Sequence, residues 1–379
     1  MTKRETCGAM IGTTRLAQTG ILIAAMTAAC AVARAETSPD FDRLMAIYGK
    51  DSRVEVYQAT SPVLRNVARR SIVAVVPKGK VTVHQDLSTS LSAPSYPQDW
   101  CSQHLGCGRP CADEPFRDQP VMVSCSGVLV DDDLVLTAAH CLDASARCDQ
   151  FRYVFDWFYN ESGVLETVGP DAIYSCRRTV LHDTVQDVAL IELDRPVGSS
   201  RQPVCLHERP LTAATPISII GFPAELPAKI EEGTELGALG DGLHGYFEAY
   251  SDTYQGSSGS AALDNEGCLV GHLINGLTDF TRDAQTGCLR SVILPRANVG
   301  QPYPDAEHYV YASEWRADLC SVGWPSERLC DSPNGSEPDL DGCNVSSSSR
   351  SGFSTALCWL SVLLLARRRL RPPHPQRGT

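Results

Sequence analysis

The stretch Leu136-Thr137-Ala138-Ala139-His140-Cys141 ends a β-branched run in small residues and then presents an imidazole, a group that moves protons near neutral pH. Small side chains let a turn pack closely behind such a ring. A lone histidine is more often structural than chemical, so its neighbours decide. Cys125 opens Cys125-Ser126-Gly127-Val128-Leu129-Val130, sixteen residues before Cys141, and a bridge between the two would staple the hairpin that carries His140.

Asp187 stands at the mouth of the apolar run Val188-Ala189-Leu190-Ile191-Glu192-Leu193. An aspartate there commonly caps a turn. It can equally hold one imidazole nitrogen, fixing the tautomer and stabilising the imidazolium. Asp183, four residues earlier, is a less suitable candidate because it does not adjoin the run. In Gln255-Gly256-Ser257-Ser258-Gly259-Ser260, glycines on either side permit a turn that exposes the Ser258 hydroxyl and points the amides of Gly256 and Ser258 into one pocket. Serine-glycine runs also make linkers, but this one lies between strand-like segments. The Gly-x-Ser-x-Gly elbow is not met, because Gly259 follows Ser258 directly.

The elements that must position these groups are short. Apolar and β-branched runs at 71–76, 121–123, 128–130, 134–137, 152–155, 188–193, 217–220, 268–274 and 291–294 alternate with Gly, Pro and Asp. None sustains a long 3.6-residue period, which predicts an all-β chain. Residues 77–120 are rich in Pro and Ser and carry Cys101, Cys107 and Cys111, as in a disulfide-pinned insertion.

The order His140, Asp187, Ser258 resembles that of the chymotrypsin-like serine peptidases, from about residue 51 to 294. Gly256-Ser257-Ser258-Gly259-Ser260, Gly49-Lys50-Asp51-Ser52-Arg53, the stretch from Gly221 to Lys229 and Asp252-Thr253-Tyr254-Gln255 resemble the bacterial branch that includes V8-type glutamyl peptidases. The resemblance implies two six-stranded antiparallel β-barrels with a cleft between them. His140 and Asp187 would come from the first barrel and Ser258 from the second. His140 would be the base, Asp187 its orienting group, Ser258 the nucleophile, and the amides of Gly256 and Ser258 the oxyanion hole. Asp252, Thr253, Asn275 and Gly276 would line the substrate pocket. Ser257 replaces the aspartate that pairs with a new N-terminus in trypsin relatives, so that activation switch is expected to be absent. Asp252 favours a Lys or Arg substrate side chain slightly over Glu; His272 stands two residues early for a glutamyl pocket, which sets it back along the strand from the site wanted.

The whole chain has 379 residues, 33 basic and 45 acidic, with 43% hydrophobic residues, which excludes general disorder. Without residues 1–35 and 351–379 it keeps 24 basic against 44 acidic, a charge that repels phosphate backbones and argues against nucleic acid. Lys3, Arg4 and Arg15 before an apolar run at 16–32, then Ala33-Arg34-Ala35, read as a signal peptide cleaved after Ala35; a lipoprotein signal ending at Cys30 is the alternative. Residues 36–70 form a lead-in or a pro-segment ending at Arg69-Arg70, with the lead-in preferred. The peptidase region is expected over 71–330 and a Ser/Asp-rich stalk over 331–352. Residues 353–366 would make a helix of about 21 Å, short for a permanent span, before Arg367, Arg368, Arg369 and Arg371. With Cys343 and the serines at 346–349, residues 353–379 resemble the C-terminal sorting tails of myxobacterial and related surface proteins. This implies a tail processed on export, with transient or C-terminal membrane attachment and a lipid on Cys343 as an option.

Twelve cysteines between the ends fit a disulfide framework in an exported chain. Cys125–Cys141 is the first expected pair and Cys268–Cys288, bracketing the strand after Ser258, the second. No metal or other cofactor is expected: there is no C-x-x-C pair, His207-Glu208 lacks a second histidine and reads as loop surface, and the acidic residues at 339–342 are too few for calcium. The expected activity is that of a secreted or surface endopeptidase on protein or peptide substrates. The rival is an inactive binding or adhesion protein on the same fold.

Overall fold

The computed structural model describes residues 47–96, 101–102, 106–142, 145–276, 279–294 and 306–330. Two antiparallel sheets dominate. The first runs in the order Ile173–Tyr174, Phe151–Val154, Ile72–Pro77, Cys125–Asp131, Leu134–Thr137, Val188–Leu193, Cys176–Asp183. The second runs Tyr246–Ala249, Glu307–Tyr311, Leu269–Asn275, Ala261–Leu263, Ile217–Gly221, Lys229–Thr234, Val54–Glu55. Each has six longer strands and one two-residue segment, the two-barrel, all-β architecture that the resemblance implies.

The strands form where β-branched residues can be buried on both faces. Ile72 to Val76, Val128 to Val130 and Val188 to Ile191 are each 0–2% exposed. Curvature comes from breaks in register. Cys176–Asp183 shifts against Val188–Leu193 at Cys176/Arg178 and again at Thr179/Leu181, and Cys125–Asp131 shifts against Leu134–Thr137 near Asp131. Each extra residue bends its strand and increases twist, which curls the sheet around its core.

Several expectations need correction. Val121 to Val123 are buried but lie outside any strand; Met122 N and Val123 N both donate to Glu225 O instead of joining a ladder. Among the described residues, two helices of nine and ten residues, besides the single turn Glu327–Cys330, appear where no long helical period is visible. Pro62–Arg70 is capped by the Ser61 hydroxyl and buries Leu64, Val67 and Ala68, an i, i+3, i+4 face only nine residues long. Ala312–Ser321 buries Ala312, Trp315 and Leu319.

The residues before the first long strand belong to the folded body. Ile47 and Tyr48 pair with Ile293 and Leu294, and Val54–Glu55 closes the edge of the second sheet. Arg70, in the last turn of its helix, donates to the carbonyls of Ser199, Ser200 and Arg201.

Disulfides join Cys111–Cys288, Cys125–Cys141, Cys148–Cys176, Cys205–Cys268 and Cys320–Cys330. The expected Cys268–Cys288 pair does not form. Cys205 lies beside Cys268 because Leu269 N donates to Cys205 O, and Cys288 meets Cys111 because Leu289 N donates to Arg109 O while Cys111 N donates to Leu289 O. The second bond ties Cys111 to the start of Leu289–Ser291, a strand paired with Phe280–Arg282 in a separate two-stranded sheet. This disulfide density fits an extracellular protein. Among the described residues, no helix is long and apolar enough to cross a membrane. The signal-like N-terminus and the stalk and tail from 331 onward, Cys343 included, lie outside the described residues.

Candidate active site

His140 stands in the short turn Ala139–Cys141 that follows the strand Leu134–Thr137. Ala138 and Ala139 are buried at 0% and 1%, leaving no room for larger side chains behind the ring. The Cys125–Cys141 bond closes the hairpin, where a constraint on a sixteen-residue separation is worth about 3 kcal/mol. Asp187 immediately precedes Val188–Leu193, the strand paired with Leu134–Thr137. Its φ of 58° is left-handed, a conformation aspartate tolerates better than most residues.

Asp187 holds His140 at two points. Its Oδ1 accepts from the His140 backbone N at 2.8 Å and its Oδ2 lies 2.6 Å from Nδ1. A carboxylate only accepts, so Nδ1 carries the proton and Nε2 offers a lone pair. That lone pair lies 2.8 Å from Ser258 Oγ. Burial by itself would push the Asp187 carboxyl up, but the hydrogen bonds and charge of His140 outweigh it and hold the group below the usual carboxylate range. The imidazole is 48% exposed to solvent, whereas the Asp187 side chain is 6% exposed.

Ser258 lies in a turn that only glycine permits on either side. Gly256 and Gly259 have φ of 97° and 85°. A Cβ on Gly259 would approach Ser126 O to 2.1 Å, and one on Gly256 would approach Phe222 O to 2.8 Å. The amide of Ser257 donates to Tyr254 O and that of Gly259 to Leu273 O. Among the described residues, the amides of Gly256 and Ser258 donate to no protein group.

The residues expected in the substrate pocket each have hydrogen-bond partners within the chain. Asp252 is 4% exposed; its Oδ1 accepts from Tyr48 N at 2.8 Å, and its Oδ2 from Ser52 N at 2.7 Å and Ser52 Oγ at 2.6 Å. Burial pushes its carboxyl up, with those three bonds opposing. The strap 47–53 therefore occupies both of its oxygens. Thr253 is buried and donates to Glu307 Oε2 at 3.0 Å. Asn275 is half-buried and accepts from Gly276 N through Oδ1. His272 is wholly buried and points at the first barrel, with Nε2 3.2 Å from Asp187 O. Burial drives its pKa down to about 4, so it is neutral beneath Asp187.

His207 is not loop surface. Its side chain is 6% exposed and Nδ1 lies 2.6 Å from Asp264 Oδ2, while Glu208 is exposed. Among the described residues, the one group with metal-like spacing is Cys125, His140 and Cys141. Its sulfurs are joined to each other and its imidazole is engaged by Asp187 and Ser258, so it does not fit a metal.

The buried polar groups under the Ser258 turn are not evident from sequence. Glu231 accepts from Asp252 N at 2.8 Å and lies 3.1 Å from Ser52 Oγ, and burial raises it to about 8. Asp279 accepts from Gln255 N at 2.9 Å and burial likewise raises it to about 8. For Asp279, a folded-state pKa raised above the unfolded 3.8 means that stability falls as pH rises from there towards pH 8. Asn accepts the same amide without that cost. Asp279→Asn is expected to raise Tm relative to the parent, and the gain should grow between pH 4.5 and 7.5. A gain independent of pH over that window would contradict the buried, protonated carboxyl.

Residues 125–271 match the family model described as a trypsin-like peptidase domain. A trypsin from Sarcophaga bullata is 29% identical over 110 residues, which cover 28% of this chain and 42% of that protein, so the match spans about two fifths of the curated relative. Among solved structures, neuropsin, described as a serine protease expressed in the limbic system of mouse brain, aligns at 20% identity with a TM-score of 0.37, covering 53% of this chain and 89% of that one. The segment that holds His140, Asp187 and Ser258 is thus the segment that resembles a trypsin-like peptidase domain.

Proposed function

We propose that the protein is a serine endopeptidase that cleaves protein or peptide substrates through Ser258, His140 and Asp187. The observation that carries this reading is the continuous chain of contacts from carboxylate to imidazole to hydroxyl, 2.6 and 2.8 Å long, with the imidazole open to solvent. As Ser258 Oγ attacks the substrate carbonyl, its proton passes to His140 Nε2, and Asp187 stabilises the imidazolium. The amides of Gly256 and Ser258 receive the oxyanion that appears in the tetrahedral state. His140 then returns the proton to the leaving amine. Water repeats the sequence on the acyl-enzyme, releasing the acid and restoring Ser258.

With both Asp252 oxygens bound to the strap, Asp252 supports the floor of the site and is not the charged base that reads Lys or Arg. Export through residues 1–35, a peptidase region over 71–330 and a processed tail from 353 complete the proposal. The twelve-cysteine middle and its disulfides agree with export.

A peptide-library cleavage profile on secreted protein tests the reading. Cleavage of unstructured peptides, lost in Ser258→Ala, is expected. Folded wild-type protein that cleaves no library member would favour the inactive binding alternative. A hundredfold preference for Lys or Arg at the residue before the cut would overturn the reading of Asp252.

A further inference from the structure

Each peptide group from residue 255 to 259 is pinned by its carbonyl oxygen. Gln255 O accepts from Ala224 N at 2.7 Å, Gly256 O from Ser126 Oγ at 2.8 Å, Ser257 O from Ser260 N at 2.7 Å, and Ser258 O from Ser126 N at 2.8 Å. Fixing a carbonyl fixes the plane of its peptide, and so the direction of the N–H on the other side. The amides of Gly256 and Ser258, whose planes are held from behind at Gln255 O and Ser257 O, keep no protein partner among the described residues.

Ser126 supplies two of those four anchors, although it belongs to the first barrel and the turn to the second. Its side chain is 0% exposed and its hydrogen-bonding capacity is full. The hydroxyl donates to Gly256 O and accepts from Phe222 N at 2.9 Å and from Ser260 Oγ at 3.2 Å. Phe222 opens the turn that carries Ala224, the donor to Gln255 O, and Ala224 itself is left-handed with φ of 54°. Through Gly256 O and Phe222 N one hydroxyl therefore bears on the planes on both sides of Gly256, and through Ser260, whose N donates to Ser257 O, on the plane that carries the Ser258 amide.

We propose that Ser126 is a positioning residue whose hydroxyl aims the amides of Gly256 and Ser258 at the developing oxyanion and keys that turn to the barrel carrying His140. This rests on the peptidase reading above. Ser126→Ala keeps the backbone bond to Ser258 O and removes the hydroxyl. Loss of a whole oxyanion donor costs about 10²–10³ in turnover, so a misaimed one is expected to cost about 10–100-fold in kcat, with KM within about threefold. A peptidyl boronate, which forms a tetrahedral adduct, should lose affinity by a similar factor, while a non-cleaved product peptide should not.

Thr137→Val separates this role from mere stability. It removes the 2.7 Å bond from Thr137 Oγ1 to Ser126 O, a neighbouring buried contact, and leaves the hydroxyl in place. It should lower Tm with kcat within about twofold of wild type. Active wild type with an unchanged kcat in Ser126→Ala overturns the positioning role alone, as does an equal loss of kcat in Thr137→Val. Inactive wild type brings down the peptidase reading and this proposal with it.

Discussion

Ser258→Ala is expected to reduce peptide hydrolysis on the order of 10⁶-fold while leaving the fold and substrate affinity intact. The Ser258 backbone is held by Ser126 N at its carbonyl, a bond that alanine keeps. The lost atom is the Oγ 2.8 Å from His140 Nε2, and no other hydroxyl contacts that nitrogen among the described residues. Residual activity should remain above the uncatalysed rate, because the Gly256 and Ser258 amides still stabilise charge when water attacks directly. Progress curves normalised by folded protein, with Tm measured alongside, give the comparison. A variant that keeps more than about a hundredth of wild-type turnover would remove Ser258 from the nucleophile's role.

Asp187→Asn should be nearly as severe, at about 10⁴-fold in kcat near neutral pH. The His140 backbone N is an obligatory donor, so the amide oxygen of asparagine must turn to it, as Asp187 Oδ1 does now at 2.8 Å. The NH₂ group then faces Nδ1, where Oδ2 now sits at 2.6 Å. Two donors cannot share that contact. The imidazole must move its proton to Nε2, which points that proton at the Ser258 hydroxyl and abolishes the base. Asparagine tolerates the left-handed backbone at this position, φ 58°, so the variant should fold. Nitrogen NMR of the ring should report the exchanged tautomer. Unaltered kcat, or an unaltered tautomer with reduced kcat, would contradict this account of Asp187.

The groups that meet at His140 were legible because each sits in a local pattern whose meaning survives folding. Leu134–Thr137 is a buried strand, the alanines after it make room for a turn, and Asp187 heads the strand that pairs alongside. The disulfide at Cys125 and Cys141 follows from the same hairpin. What escaped depends on contacts between distant segments. Tyr48 and Ser52 reach Asp252 across about two hundred residues, and Ser126 reaches Gly256 across 130. His272 turns out to face Asp187 across the two barrels. Strands such as Cys176–Asp183 and Lys229–Thr234 were missed because their charged residues break the apolar run. Arg177 and Arg178 both pair with Glu192 on the adjoining strand, and Lys229 is buried against Glu55 at 3.2 Å. Cysteine pairing likewise depends on which chain segments lie side by side, as Cys205 does with Cys268, and not on bracketing in sequence.

Covalent labelling with a fluorophosphonate, read by peptide mass mapping, tests the central claim most directly, because the probe reacts only with a serine whose hydroxyl has been made nucleophilic. One adduct per chain at residue 258 is expected, absent from Ser258→Ala and formed far more slowly in Asp187→Asn. Folded, disulfide-bonded protein that takes up no probe, or takes it up at another residue, would contradict the account.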